Sequence, residues 1–303
     1  MPSAKSSQPM KRASGMDVLP YSVVKIDGQT AGRPGVTSAG TGFFFRVNVD
    51  DTIVPMIVTN RHVVANMETL SFHMSLADSN GERILGPAQI ITVPTSGYPI
   101  LLHPDPGVDL AMIPAQPINE IMHREGSRPY FLTLSKDNFP APWLTKKLSA
   151  FTNTIMIGFP NGLMDLANNL PISRRGTLAT HYFADYNGKK DFVVDIAAFG
   201  GSSGSPVFAY FDTMTPTEDG MILGDSSVRL IGILHSGPIL SAMGEVVPAP
   251  IPTTSHVSKT NLMMHLGYCA KAELLNDFEP LIATAVAEEK RQASLNSIRP
   301  PQP

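Results

Sequence analysis

Short apolar segments alternate with turn-forming residues from residue 18 onward. These segments are rich in valine, isoleucine and aromatic residues, which favour strands, and they end at glycine, aspartate, asparagine or proline. The strands predicted in the first half are residues 21–26, 42–47, 53–59, 70–74, 88–93 and 109–113. No helical periodicity of convincing length interrupts them, so we expect one antiparallel β unit that could close into a barrel.

A second series of strands follows a proline-punctuated stretch. Residues 114–146 contain five prolines and no regular pattern, which indicates an irregular connection. The strands predicted after it are residues 152–157, 176–184, 191–198, 206–211 and 230–234. The 27 prolines and 24 glycines of the whole chain also favour a strand-rich fold over a helical one.

The pattern changes near the end of the chain, where apolar residues recur at helical spacing. Asn276-Asp277 can cap a helix. The apolar positions that follow are Phe278, Leu281, Ile282, Ala285 and Val286. We expect this helix to pack against the second β half.

Composition and charge are those of a globular protein and exclude several functional classes. Hydrophobic residues make up 43% and charged residues 16% of the 303 residues, and a net charge of −3 provides no basic field for nucleic acid or an anionic membrane. The single cysteine, Cys269, excludes an internal disulfide framework and a cysteine-based zinc cluster. The first residues are polar and no run of 18 apolar residues occurs, so we expect a cytoplasmic protein without signal peptide or membrane span.

One turn carries the clearest chemical signal. Between two apolar runs, residues 192–198 and 207–211, the chain reads Phe199-Gly200-Gly201-Ser202-Ser203-Gly204-Ser205-Pro206. Because glycine tolerates positive φ and close approach, such a turn can expose a serine hydroxyl and the backbone N–H groups beside it. A serine nucleophile needs both features. An ordinary glycine-serine hairpin is the alternative interpretation of this segment taken alone.

A serine nucleophile also needs a base to accept its proton and a carboxylate to orient that base. Among the eight histidines, His62 follows a predicted strand at a position where its side chain can face a cleft, and six others lie in contexts without a comparable partner. Asp109 stands at the head of an apolar strand, where a buried acid should be paired. Asp105, between two prolines, is a rival carboxylate with the character of a turn residue.

Three blocks resemble the signature blocks of the chymotrypsin-like (trypsin-fold) serine proteases. They are Thr59-Asn60-Arg61-His62-Val63-Val64, Val108-Asp109-Leu110-Ala111 and Gly201-Ser202-Ser203-Gly204-Ser205-Pro206. They occur in the histidine, aspartate, serine order of that clan, at separations of 47 and 94 residues. Residues 157–162 and 168–176 are similar to the cysteine-poor bacterial trypsin-like peptidases related to the Deg/HtrA proteases.

The resemblance implies an all-β fold with two six-stranded antiparallel β-barrels and a C-terminal α-helix. The organisation we expect is a disordered tail (1–15), an N-terminal β-barrel (16–130), a connection (131–147), a C-terminal β-barrel (148–275), a helix (276–294) and a second disordered tail (295–303). After Ala272 too few residues follow for the PDZ domain that Deg-type proteases usually carry, so the oligomeric state stays open.

The resemblance also implies residue roles. Ser203 would be the nucleophile, His62 the general base and then acid, and Asp109 the orienting carboxylate. The backbone N–H groups of Gly201 and Ser203 would form the oxyanion hole. Because Ser202 stands where secreted trypsins have aspartate, activation by cleavage is not expected, and control would come from loop ordering or a regulatory protein partner.

Substrate-binding residues follow from the same resemblance. His235, Ser236 and Gly237 match the strand that pairs with the substrate backbone, although a purely structural role is an alternative for His235. Ala197 occupies the base of the primary specificity pocket and carries no charge. We therefore expect small or medium aliphatic side chains, and not lysine or arginine, before the scissile bond.

The resulting prediction is a bacterial, cytoplasmic serine endopeptidase that forms an acyl-enzyme on peptide or protein substrates, without cofactor or metal. A protease-fold peptide-binding or regulatory module with a dormant triad is the alternative. Esterase action on small acyl substrates is a third possibility, because the same residues cleave activated esters. The intact set of catalytic residue types favours the endopeptidase.

Overall fold

The chain forms two antiparallel β units followed by a C-terminal helix. The structure, a computed structural model, describes residues 16–33, 35, 37–246 and 256–298. The tail predicted over residues 1–15, and residues 299–303 of the second predicted tail, lie outside the described residues.

The N-terminal unit is a sheet of eight strands. They are β1 (Val23–Thr30), β2 (Thr37–Val49), β3 (Thr52–Thr59), β4 (Met67–Ala77), β5 (Arg83–Pro94), β6 (Leu101–Leu102), β7 (Ala111–Pro114) and β8 (Pro129–Tyr130). They pair in the order β5-β4-β1-β2-β3-β7-β6, and β8 pairs with β4. Six of the eight have ordinary length, and β6 and β8 have two residues each. The number of strands therefore exceeds the predicted six. The two additional strands, β6 and β8, are too short to show a sequence pattern and form through tertiary pairing.

The C-terminal unit is a closed six-stranded barrel. Its strands are β9 (Asn153–Gly158), β10 (Ile172–Leu178), β11 (Asp191–Asp195), β12 (Pro206–Phe211), β15 (Ser227–Ser236) and β18 (Leu266–Lys271). They close in the order β10-β11-β18-β15-β12-β9. Two further antiparallel strand pairs lie outside the closed barrel: β13 (Met214–Pro216) with β14 (Met221–Leu223), and β16 (Ile239–Val246) with β17 (His256–Met263). The predicted antiparallel all-β fold class is thereby confirmed.

Helices are short except at the C-terminus. The α-helices are α1 (Arg61–Val64), α2 (Gln116–Arg124), α3 (Pro142–Thr145) and α4 (Glu279–Ile298). The 3-10 helices are Leu19–Ser22, Lys136–Asn138, Pro160–Gly162, Tyr186–Gly188 and Ala272–Phe278. Helix α2 lies in the stretch that we expected to be irregular. It forms because Pro117 falls in the first turn, where its missing N–H costs no bond, and Ile118 and Met122 are both buried one turn apart.

The hydrophobic core consists of three apolar clusters, one inside each unit and one between the two units. The triplet Phe43-Phe44-Phe45 in β2 shows how they are divided, because neighbouring residues of a strand point to opposite faces. Phe43 and Phe45 belong to the cluster between the units, together with Phe208 of β12. Phe44 belongs to the cluster inside the N-terminal unit. The seam between the units is therefore a continuous hydrophobic core.

Helix α4 packs against β2 of the N-terminal unit, so the expectation that it packs on the second β half was wrong for α4, although the 3-10 helix Ala272–Phe278 before it contacts β15 of the C-terminal barrel. Helix α4 contacts β2, and Phe278 and Ile282 enter the cluster between the units. The ring of Phe278 lies edge-on to His103, with 5.3 Å between ring centroids. An ion pair between Lys136 and Glu279 fastens the first turn of the helix. These apolar side chains are buried in the cluster between the two units.

None of the helices in the described part of the chain combines the length and the apolar character that a membrane crossing requires.

Candidate active site

His62 and Asp109 lie side by side in the N-terminal unit. His62 is in the one-turn helix α1, directly after β3, and Asp109 is in the loop before β7. The His62 Nδ1 lies 2.6 Å from Asp109 Oδ2, and the backbone N–H of His62 donates to Oδ1 at 3.0 Å. Because an ionised carboxylate only accepts hydrogen bonds, Nδ1 carries the proton and Nε2 is left as the basic ring nitrogen.

Neighbouring side chains fix the loop that carries Asp109. The buried Asn60 donates from Nδ2 to the backbone carbonyl of Asp109 at 2.8 Å. Arg61 donates to the carbonyl of His103, at the start of the same loop, at 2.9 Å. Asp105, the rival carboxylate, accepts a hydrogen bond from the backbone N–H of Gly107 at 2.8 Å and so stabilises the turn in which it lies.

The environment keeps Asp109 ionised. Burial opposes its ionisation. That effect is outweighed by the hydrogen bonds from the His62 imidazole and backbone N–H, and by the charges of His62 and His235. The pKa of Asp109 therefore lies below its ordinary value. An ionised Asp109 can stabilise an imidazolium at His62, as a general base requires after it takes a proton.

Ser203 lies in the turn between β11 and β12, and Thr41 of β2 fastens this turn to the other unit. The backbone N–H of Thr41 donates to the Ser203 carbonyl at 2.8 Å, and its Oγ1 donates to the Gly201 carbonyl at 2.9 Å. Thr41 Oγ1 also accepts the N–H of Phe159 at 3.1 Å. One buried threonine thus holds both ends of the Gly201–Ser203 segment and the strand beside it.

Two glycines in the turn have backbone conformations and surroundings that only glycine tolerates. Gly201 has φ +79°, and a Cβ there would lie 2.6 Å from the carbonyl oxygen of Phe159. Gly204 has φ +87°, and a Cβ there would lie 1.9 Å from the carbonyl oxygen of Thr41. The glycines let the turn approach β2 and β9 closely enough to place Ser203 in the seam between the units.

The Ser203 hydroxyl faces the end of β15. Its Oγ lies 3.4 Å from the carbonyl oxygen of His235. The hydrogen bonds found within the described residues include none between Ser203 and His62, whose side chain is 50% exposed. Hydrogen bonds between catalytic groups are often long or poorly aligned before substrate binds.

Two backbone donors next to Ser203 are available. In the described part of the chain, the N–H groups of Gly201 and Ser203 donate to no protein acceptor, whereas the N–H of Ser202 donates to the Phe199 carbonyl at 3.0 Å. The Ser202 and Ser205 hydroxyls are buried, so the partly exposed Ser203 is the accessible serine of this turn. Free backbone donors beside an accessible hydroxyl can bind a developing oxyanion.

The predicted substrate-binding residues lie around the same turn. His235 and Ser236 end β15, Gly237 follows them, and Ser236 pairs with Tyr268 of β18. Ala197 lies between β11 and the turn and is partly exposed.

Thr41 and Asn60 hold the site together, although neither has a role among the residues predicted from the sequence. A signal for Thr41 was present in Gly40-Thr41-Gly42, a polar residue between two glycines directly before the apolar triplet Phe43-Phe44-Phe45. Asn60 was quoted as part of the His62 block, and its contact with the Asp109 carbonyl becomes visible only when β3 and β7 are paired.

A family model and a solved structure match this chain. The family model of the trypsin-like peptidase domain matches residues 40–213, more than half of the 303 residues. A solved structure of the Rv3671c protease from M. tuberculosis in its active form is similar at 14% sequence identity, covering 90% of this chain and 93% of that chain with a TM-score of 0.40. No curated protein matches. The chain belongs to the trypsin-like peptidase domain family, and it is a peptidase-type hydrolase acting on peptides or proteins.

Proposed function

We propose that this peptidase is a serine endopeptidase in which Ser203 attacks the scissile carbonyl. His62 takes the hydroxyl proton at Nε2 and later returns it to the leaving amine, and Asp109 holds the imidazole in the required tautomer. The Gly201 and Ser203 N–H groups bind the oxyanion. The observation that carries this proposal is the doubly hydrogen-bonded His62–Asp109 pair in the unit whose Thr41 also binds the glycine turn, where two N–H groups beside Ser203 have no protein acceptor among the described residues.

The specificity that we propose rests on the family resemblance, which puts Ala197 at the base of the primary specificity pocket. A primary pocket with alanine at its base has no countercharge for lysine or arginine, so small or medium aliphatic side chains fit better. Peptides with alanine or valine before the scissile bond should be cleaved at least about tenfold faster than matched arginine peptides. Ala197→Asp should reverse that preference if the side chain lies at the base of the pocket.

A second candidate function is a peptide-binding or regulatory module whose triad is dormant. The observation that favours it is the contact of Ser203 Oγ with the His235 carbonyl in place of His62 Nε2. In such a module an extended peptide would add to β15 through backbone hydrogen bonds, and no acyl-enzyme would form.

A fluorophosphonate probe distinguishes these candidates. We expect stoichiometric labelling of the folded protein at Ser203, located by mass spectrometry, and its loss in Ser203→Ala and His62→Ala. Ser202→Ala is the matched control, because the Ser202 hydroxyl is buried without a hydrogen-bond partner among the described residues. A folded protein that takes no label would favour the dormant module, and a label on Ser202 or Ser205 would contradict the assignment of Ser203.

The remaining predictions are part of the same proposal. We propose cytoplasmic location from the single cysteine, which is free and buried at Cys269. We also propose that the bacterial resemblance extends to the source of the protein, that it binds neither nucleic acid nor membrane, and that a protein partner can regulate the site.

A further inference from the structure

Strands β13 and β14 form a hairpin outside the closed barrel, and one face of this hairpin is apolar and exposed. Their register places Met214 opposite Leu223 and Pro216 opposite Met221. Residues that pair directly, and residues two apart along a strand, share one face of a sheet. Met214, Met221 and Leu223 are 49%, 66% and 76% exposed. This face therefore consists of four apolar side chains, three of which are exposed.

The opposite face of the hairpin is anchored to the barrel. Thr215 is buried there, and its Oγ1 lies 3.0 Å from Ser227 Oγ at the start of β15. Ile222 pairs with Thr215 and lines a cavity of about 350 Å³ together with Trp143 and Phe211. These contacts explain why the hairpin folds back on the barrel. They do not account for the apolar side chains on its other face.

Hydrogen bonds close the hairpin at both of its ends. The N–H of Thr217 donates to the Gly220 carbonyl at 2.9 Å, and the N–H of Gly224 donates to the Thr213 carbonyl at 2.8 Å. Directly opposite residues in an antiparallel pair alternate between pairs that exchange hydrogen bonds and pairs that do not. The four residues of the apolar face occupy the pairs that do not. Their backbone groups therefore point outward, away from the partner strand.

The two edges of the hairpin differ in what they offer to a further strand. On the β13 edge, Pro216 has no N–H to donate, and a proline at such a position blocks the addition of a strand. On the β14 edge, the N–H groups of Met221 and Leu223 both face outward, and neither donates to an acceptor among the described residues. The edge of β14 is thus the one that is open to a further strand.

Carboxylates flank the apolar residues of β14. Asp219 precedes Met221 by two residues, Asp225 follows Leu223 by two residues, and both aspartates are exposed. The ion pairs found within the described ranges include none made by either aspartate. An extended segment that lies along this edge therefore meets negative charge at both ends, which favours a segment with basic ends.

The same charges disfavour a second copy of this chain as the occupant. Two-fold antiparallel pairing of β14 about Ile222 would bring Asp219 of one copy near Asp225 of the other, at both ends of the pair. Like charges opposite each other destabilise paired strands. The occupant that matches the edge is a segment of another protein with an apolar centre and basic ends.

The hairpin lies at the far end of β12 from the candidate active site. The turn that carries Ser203 precedes β12, and the hairpin follows it. The six residues of β12 span roughly 20 Å at the rise of a β-strand. A segment bound to the hairpin can therefore leave Ser203 accessible.

We propose that the free edge of β14 is a docking site at which a partner protein adds an extended segment antiparallel to β14. Apolar residues of the segment lie opposite Met221 and Leu223, and lysine or arginine lies near Asp219 and Asp225. The backbone groups of β14 bind the segment, and the carboxylates select its basic ends. The proposal goes beyond the peptidase activity, because this surface needs no catalytic residue.

The probe is the dye-labelled heptapeptide Lys-Ser-Val-Ile-Val-Ser-Lys, blocked at both ends. The protein is the full chain with Ser203→Ala, which prevents cleavage of the probe by the proposed mechanism. Fluorescence anisotropy at low and at high salt measures the affinity. A diazirine analogue of the central isoleucine cross-links the bound peptide, and mass spectrometry locates the cross-link.

Two further substitutions and two further peptides test the parts of the proposal. Met221→Pro removes an outward donor from β14, as Pro216 does on β13, and a double variant carries Asp219→Asn and Asp225→Asn. One control peptide has glutamate in place of both lysines, and another has N-methyl groups on both valines. Asp51→Asn, in the exposed acidic turn between β2 and β3, is the control variant.

We expect saturable binding with cross-links on residues 219–225. Affinity should fall by about tenfold in Met221→Pro, because a backbone hydrogen bond is lost. It should fall by about tenfold in the double variant at low salt and less at high salt, because salt screens exposed charge pairs. Both control peptides should bind at least about tenfold more weakly than the probe, and Asp51→Asn should bind it like the parent protein.

The proposal is wrong if the probe does not bind saturably, if cross-links lie beside Ser203 instead, or if Met221→Pro and the double variant bind like the parent. Sedimentation equilibrium tests the second copy, and a dimer that dissociates in Met221→Pro would also overturn the proposal. Thermal unfolding checks that each variant folds. If Met221→Pro does not fold, the N-methylated peptide decides the question, because it removes backbone hydrogen bonds of the same edge from the side of the probe.

Discussion

The two β units contribute to the site in different ways. The N-terminal unit supplies two side chains, His62 and Asp109, that are joined directly by two hydrogen bonds and supported by Asn60. The C-terminal unit supplies Ser203 on a turn whose shape depends on backbone conformation and on contacts with Thr41 of the other unit. The His62–Asp109 pair is assembled within one sheet, and the Ser203 turn is assembled across the seam between the units.

This difference predicts different responses to mutation. Changes in the N-terminal pair should remove chemistry and leave the fold intact, because the pair is partly exposed and contributes little to the core. Changes in the turn should damage stability and chemistry together, because the same contacts dock the two units. The first three variants below test this contrast, and the fourth changes an ion pair of the N-terminal unit outside the site; they run from the largest expected effect to the smallest.

Asp109→Asn should give the largest loss of activity. The amide cannot hold His62 in the required tautomer, so fluorophosphonate labelling should fall by about 10³–10⁴-fold while thermal unfolding changes little. Asp105→Asn, in the neighbouring turn, is the matched control. Near-normal labelling in Asp109→Asn would show that His62 does not depend on this carboxylate.

Gly204→Ala should give the largest loss of stability. The new Cβ would lie 1.9 Å from the Thr41 carbonyl at φ +87°, and overpacking together with backbone strain should cost about 3 kcal/mol or more. Gly224→Ala is the control, because Gly224 has φ +81° and nothing within 4 Å, so only the strain remains. Equal shifts of the two urea midpoints would contradict a close docking of the turn on β2.

Thr41→Val should reduce stability and labelling together. It removes the donor to the Gly201 carbonyl and the acceptor for the Phe159 N–H inside a buried seam, which should cost about 2 kcal/mol. The labelling rate should fall with it, because the oxyanion N–H groups lose their support. Thr37→Val, at the exposed start of the same strand, should change neither quantity.

Asp27→Asn should give the smallest effect, and one that depends on pH. Burial opposes ionisation of Asp27, but hydrogen bonds to His73 and Lys25 and their charges place its pKa below the ordinary value. Because the pKa of Asp27 is lower in the folded than in the unfolded state, its ionisation stabilises the fold at pH values above the unfolded-state pKa near 4. This stabilisation is lost as the pH falls through the folded-state pKa. The variant should be less stable by about 1 kcal/mol at neutral pH, since Asp27 is 30% exposed, and equal to wild type once both states are protonated.

Urea unfolding of Asp27→Asn at a series of pH values checks that sign. Asp51→Asn, in the exposed turn between β2 and β3, is the control. A difference from wild type that persists unchanged at the lowest pH would show that the carboxylate charge is not its source.

Local pattern predicted most of the long strands. Strand β12 has the bounds that the sequence analysis gave, because Pro206 and the preceding turn mark its start and apolar residues continue to Phe211. Strand β18 was missed, although it closes the barrel between β11 and β15. Its residues, Leu266–Lys271, mix glycine, tyrosine, cysteine and lysine without an alternating pattern, so its strand conformation depends on the two neighbours that pair with it.

The residues of the candidate site likewise divide into those that the sequence pattern predicted and those whose contacts it did not. The block around His62, the acid at the head of β7 and the glycine-serine turn were visible because their chemistry is local. The contact of Thr41 with Gly201 and the contact of Asp191 with His235, across an intervening strand, each join residues that are distant in sequence. Pairwise contacts of this kind leave no periodic trace along the chain.

By itself, the sequence determined that this chain is an antiparallel β protein with a glycine-shaped serine turn and an apolar helix at its end, because hydrophobic periodicity and glycine conformation act over a few residues. Only the tertiary structure decided that the helix packs on β2, that Thr41 fastens the turn, and that Ser203 Oγ faces the His235 carbonyl. These features depend on how two sheets share one hydrophobic seam, and burial in that seam is settled by the whole fold and not by any single segment.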